Sequence, residues 1–149
     1  MESFDLNRFK SAQQSRWDGY DTALGEMQSG RKCSHWIWYI FPQLAGLGRS
    51  GPATYYGLQG LAEAEAYLQD EQLGERLVEI SRVVLASAEP DVRVLMGSSI
   101  DATKLRSCMT LFAQLPDADP VFRQVLEKYF DGREDPLTLR LLEQDENWM

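Results

Sequence analysis

The sequence predicts an all-α protein, a single compact multihelical domain over residues 1–149, and three observations lead there. Apolar residues recur at three- and four-residue steps through most of the chain, the spacing of one helical face. Asp, Ser and Pro stand where helices would begin, and Gly or Pro where they would end. No hairpin dipeptide sits between alternating apolar runs, and neither a repeat period nor a low-complexity linker divides the chain.

The elements follow in order. In "DLNRFKSAQQ", Asp5 is placed to cap a short helix with Leu6, Phe9 and Gln13 on one side. "SRWDGYDTALGEMQSG" puts Trp17, Tyr20, Leu24 and Met27 on one stripe and stops at Gly30. From Leu61, "LAEAEAYLQD" and "EQLGERLVEISRVVLASAEP" read as two helices broken near Asp70, the second carrying Leu73, Leu77, Ile80 and Val84 and ending at Pro90. "DVRVLMG" is a short turn that Asp91 can cap and Gly97 can end. "SSIDATKLRSCMTLFAQLP" is the next long helix, with Thr103, Arg106 and Thr110 expected on its solvated side. "DPVFRQVLEKYFDG" and "DPLTLRLLE" close the series with the same Asp-Pro opening.

"HWIWYIF" is the segment whose local propensity favours a strand, being aromatic and β-branched. A lone strand has nothing to pair with and would leave its backbone polar groups unsatisfied. The segment is therefore expected to be a short helix, capped by Ser34 and bounded by Pro42.

Composition sets the broad class. With 149 residues and 44% hydrophobic side chains, one domain can build a core without metal or disulfide staples. Cys33 and Cys108 stand in no ligand-like spacing, the pattern of reduced thiols in a cytoplasmic protein. The N-terminal "MESFDLNRFK" has no apolar core, and no run approaches the roughly 18 apolar residues of a membrane span. A soluble, cytoplasmic monomer without cofactor or membrane association is expected.

Charge is unevenly spread. Residues 1–60 carry six Lys/Arg and five Asp/Glu, whereas residues 61–149 carry nine and eighteen. The overall balance of −8 argues against non-specific nucleic-acid binding, which neutralises phosphates with many cations. Yet the 36 residues between Glu26 and Glu63 hold no acid at all. A local acid-free surface can hold one small anion whatever the net charge; an apolar buried segment would exclude carboxylates just as well.

The glycine-rich phosphate loops, the HExxH and GxSxG signatures and the calcium loop are absent, and one histidine with two scattered cysteines makes no zinc site. Two constellations remain. The first is Arg31, Lys32, His35 and Trp36, followed by Gln43 and the loop "AGLGRSGPATYY". Arg31 and Lys32 supply positive charge, Trp36 and Tyr55 can stack on a planar ring, and His35 can exchange protons near neutral pH. The second lies on "IDATKLRSCMTLFAQL", where at 100° per residue Lys104 and Asp101 project into the apolar sector. Burying either alone is costly, so they should be paired or reach a wet cavity. Ser107, one helical step from Lys104, can donate to the same ligand. Each constellation has a plainer structural reading. Tryptophans are usually core, Asp101 can be a helix cap, and Lys104 can lay its stem on apolar surface with its head in water.

Several stretches together resemble a known family. "DLNRFKSAQ", "YDTALGEMQSGRKCSHWIWYIFPQLAGLGRS", "YLQDEQLGERL", "DATKLRSCMTLFA" and the Tyr-Phe then Gly of "VLEKYFDG" are similar to the domain-of-unknown-function family 1810, from about Asp5 to Leu142. The resemblance implies a small multihelical domain, of the kind seen in the family's mycobacterial member, and supports a helix at "HWIWYIF". It implies no reaction. Cys33 stands where the family's "GRKRSHW" has a basic residue, which trims any cationic patch.

Joined, the two constellations lead to the expectation of a cleft lined by Trp, His and Lys that accepts a small anionic or phosphate-bearing ligand such as a nucleotide. There Arg31, Lys32, Trp36, Gln43, Tyr55, Asp101 and Ser107 would bind, with His35 as acid/base and Lys104 as electrostatic stabiliser. The rival expectation is a protein–protein interaction module with no small-molecule site, its acidic second part meeting a basic surface.

Overall fold

The computed structural model describes residues 4–144, and it is helical with no strand among them. Ten helices follow one another: α1 (Asn7–Gln13), α2 (Tyr20–Ser29), α3 (Ile37–Ile40), α4 (Gly51–Tyr56), α5 (Leu61–Gln69), α6 (Glu71–Ala86), α7 (Val92–Leu95), α8 (Ser99–Ala113), α9 (Val121–Phe130) and α10 (Pro136–Glu143). The all-α fold class is as the apolar periodicity predicts.

Side-chain caps start five of the ten helices among the described residues. The Asp70 carboxylate accepts from Gln72 and Leu73 N–H, so one residue ends α5 and starts α6. Asp91 and Asp135 do the same for α7 and α10. Gly30 closes α2 in the left-handed conformation at φ 85°, where a side chain would be strained. At the α5–α6 corner, a Cβ on Gly74 would stand 1.9 Å from the Leu68 carbonyl oxygen, so only glycine lets these helices meet.

Several expectations are corrected. Trp17 belongs to no helix; it precedes α2 and is 82% exposed. α3 is a single turn that starts after Trp36, because the N–H and hydroxyl of Ser34 are spent on Glu26 instead of on a cap. Ser98, not Asp101, caps α8. Thr110 is wholly buried rather than solvated, accepting from the Asp135 N–H at 2.8 Å, and Arg106 is half-buried on the carbonyls of Arg133 and Glu134. The loop after Gly48 holds an unforeseen helix, α4, capped by Ser50 with Pro52 in its first turn.

The core lies where α9 packs against both α6 and α8, and α8 also meets α5, α7, α10 and α3. Leu73, Leu77, Ile80 and Val84 of α6 are almost wholly buried, each contributing about 1.5–3 kcal/mol. Leu44 and Leu58 form an isolated parallel bridge through Ala45 N–H to Leu58 O (2.8 Å) and Leu58 N–H to Gln43 O (3.0 Å). That bridge pins the segment after α3 to the entry of α5. Among the described residues, no helix is long and apolar enough to cross a membrane.

Candidate functional site

The site begins where α2 ends. After Gly30 the chain reverses and lies against the α7–α8 turn, with Lys32 N–H donating to Leu95 O at 2.7 Å. Gly97, at φ 84°, makes this approach possible: a Cβ there would stand 2.9 Å from the Lys32 carbonyl oxygen.

Glu26 organises the turn. Its Oε1 accepts from Cys33 N–H (2.8 Å), Ser34 N–H (3.0 Å) and Trp36 Nε1–H (2.8 Å), and its Oε2 from the Ser34 hydroxyl (2.6 Å). Burial alone would raise this carboxyl, but the donors from Ser34, Cys33 and Trp36 outweigh it and hold the group below its ordinary value. The acid-free stretch therefore borrows its carboxylate from the preceding helix.

A second carboxylate arrives from α8. Lys32 is 7% exposed, and its ammonium contacts Asp101 Oδ2 at 2.9 Å, donates to Ser34 O and lies 4.9 Å from the centroid of the Trp36 ring. A cation so enclosed needs such partners to offset lost hydration. The other Asp101 oxygen, Oδ1, lies 3.8 Å from Lys104 Nζ, beyond hydrogen-bond reach, and Lys104 in turn sits 4.9 Å from the Trp38 ring centroid. One carboxylate thus stands between two ammoniums, joining the two constellations that the sequence keeps about 70 residues apart.

The polar partners of the two lysines differ. Among the described residues Lys104 Nζ has no hydrogen-bond acceptor, and the buried Trp38 Nε1–H has none either. Lys104 is 23% exposed and can turn to water, whereas the enclosed Trp38 N–H is left without a partner.

The remaining sequence-selected residues fall around or away from this cluster. Arg31 and His35 are exposed, and the His35 carbonyl accepts from the Tyr39 hydroxyl at 3.2 Å. Trp36 is 0% exposed with its indole N–H bound to Glu26, so it offers no face for stacking. Gln43 is buried at the Leu44–Leu58 bridge. Tyr55 is exposed on α4, its ring edge-on to Tyr56 and its carbonyl held by Arg8. Ser107 is buried toward α10, donating to Asp135 Oδ2 (2.9 Å) and Thr103 O (3.1 Å), and is not a donor beside Lys104. The structure therefore gathers Lys32, Trp36, Asp101 and Lys104.

Sequence reasoning passed over Glu26 and Trp38. Glu26 had a signal, as the last acid before the acid-free stretch. Trp38 had none beyond its place two residues after Trp36, because which indole is left without an acceptor depends on packing.

Comparison with known proteins agrees with this architecture. The family described as "Protein of unknown function (DUF1810)" matches residues 3–142. The crystal structure of the conserved hypothetical protein Rv1873 from Mycobacterium tuberculosis is 43% identical, with a TM-score of 0.89, over 95% of this chain and 99% of that one. No curated protein matches the sequence. With a match running through every helix from α1 to the body of α10, the chain belongs to the domain-of-unknown-function family 1810.

Proposed function

We propose that the protein binds a small anionic ligand, a phosphate-bearing metabolite or nucleotide among the candidates, at the Lys104–Trp38 side of the shared Asp101 carboxylate. The observation that carries this reading is the acceptor deficit. Lys104 Nζ, over the Trp38 ring, and Trp38 Nε1–H both lack a hydrogen-bond acceptor among the described residues, and Lys104 shares the Asp101 carboxylate with the Lys32 ammonium. The ligand's anionic group would accept from Lys104, with Arg31 and His35 as exposed side chains of the same segment. A thermal-shift series with inorganic phosphate, pyrophosphate and nucleotides tests it. Stabilisation should grow as RT ln(1 + [L]/Kd) and vanish in Lys104→Ala. A flat response across the series, or an unchanged response in that variant, overturns it. His35→Ala measures whether the imidazole takes part.

A second reading, a protein-docking module, is favoured by a groove along α6. Leu68, Val78 and Val83 line a cavity of about 710 Å³ that Glu75, Glu79 and Asp117 also border, while Arg82 is already paired with Asp119 at 2.9 Å. An apolar lining bordered by acidic side chains, of which Glu79 accepts from the Tyr20 hydroxyl, suits an amphipathic basic helix. A Lys/Leu amphipathic peptide should bind, and Glu75→Lys should weaken it several-fold. Equal affinity for both proteins removes this reading.

A further inference from the structure

Resting on the anion-binding reading, we infer that Asp101 sets the charge of the ligand group the site accepts, favouring a monoanion such as a carboxylate or phosphodiester over a dianionic phosphate monoester. The argument starts from the asymmetry of its two contacts. Asp101 Oδ2 is 2.9 Å from the enclosed Lys32 ammonium, whereas Oδ1 is 3.8 Å from Lys104. The Asp101 side chain is itself only 18% exposed. Asp101 is thus committed mainly to the enclosed Lys32, and a ligand arriving beside Lys104 meets a single ammonium that this carboxylate reaches only at 3.8 Å.

Attraction to that single charge grows in proportion to the ligand's own charge. The cost of dehydrating the ligand grows with the square of its charge. A second negative charge on the ligand thus doubles the gain and quadruples the cost, and it adds repulsion from Asp101 at close range. Lys104 is three-quarters enclosed and lies on an indole face, so some of that dehydration is unavoidable. Glu26 works in the same direction: the donors on its oxygens, from Cys33, Ser34 and Trp36, are neutral, so its negative charge remains and adds to the repulsion of a dianion.

Two matched probes test the inference: dimethyl phosphate, a monoanion, and methyl phosphate, largely a dianion at pH 8 because its second pKa is about 6. The readout is the Trp38 indole N–H resonance in a nitrogen–proton correlation spectrum, assigned by its disappearance in Trp38→Phe. In the wild-type protein dimethyl phosphate should bind several-fold more tightly. Asp101→Asn leaves two uncompensated ammoniums and should reverse the order. The double variant Lys32→Met/Asp101→Asn returns the site to one positive charge, with a buried apolar stem in place of the ion pair, and should restore the wild-type order. A wild-type preference for methyl phosphate, or an order that Asp101→Asn leaves unchanged, overturns the inference while the anion site stands. No movement of the Trp38 resonance with either probe in any of these proteins overturns the anion site and this inference with it.

Discussion

Trp36 and Trp38 are two residues apart, and each has a lysine ammonium 4.9 Å from its ring centroid, yet the surroundings treat them oppositely. Trp36 is fully enclosed, its N–H is taken by Glu26, and its lysine is paired with Asp101 at 2.9 Å. Trp38 is half-buried, its N–H has no acceptor among the described residues, and its lysine stands 3.8 Å from the same carboxylate. An indole–ammonium pair by itself contributes about 0.5–2 kcal/mol and does not say what the pair is for. The hydrogen-bond partners do. The Trp36 end has its hydrogen bonds complete; the Trp38 end leaves an indole N–H without an acceptor among the described residues, which is why the proposed anion site is put there.

The sharpest test of this contrast is truncation of the rings. Trp36→Ala should cost about 3–5 kcal/mol by denaturant unfolding, through a large cavity and a half-buried Glu26 carboxylate stripped of one donor. Trp38→Phe should stay within about 1 kcal/mol of wild type, since it removes a buried donor that has no partner, while the anion response disappears. Similar losses for the two would erase the distinction.

The lysines provide the next comparison. Lys32→Ala should destabilise by about 2 kcal/mol, because it leaves a partly buried carboxylate without its close partner. Lys104→Ala should cost under about 1 kcal/mol, as expected for a long, partly exposed ion pair. Matched melting curves of the two variants measure the difference, and a larger loss at Lys104 would invert the assignment.

The smallest expected effect is a dependence on pH. The Glu26 carboxyl lies below its ordinary value of 4.5 in the folded state, so its contribution is fully present above that value. It is lost as pH falls through the lower folded-state value. Asp70 is also lowered, its burial outweighed by the Leu73 N–H and Lys10, and supplies a background acid dependence. Unfolding midpoints measured downward from pH 5 should therefore decline less steeply in Glu26→Gln than in wild type. Parallel slopes would remove Glu26 from this role.

Much of the architecture was legible because caps and apolar spacing are local. Asp70, Asp91 and Asp135 mark α6, α7 and α10, and the Leu73–Val84 stripe shows which face of α6 is buried. Where the reading failed, a distant partner had claimed a local signal. Ser34 looks like a cap until Glu26 takes its N–H and hydroxyl, and Thr110 looks solvated until Asp135 donates to it. Ser107 follows the same rule, since one helical step from Lys104 is also the face that meets α10. The candidate site was half legible: charge and helical phase selected Lys32, Asp101 and Lys104, but that one carboxylate serves both lysines depends on Gly97 admitting the Lys32 backbone.

Glu26 holds the backbone N–H of Cys33 and leaves the thiol exposed, while Cys108 is sealed in the core with its thiol pushed well up by burial. A maleimide dye added to the unaltered chain should therefore attach at one place, the residue next to Lys32. The fold supplies its own fluorescent reporter position, from which the proposed anion binding can be tested without engineering a cysteine.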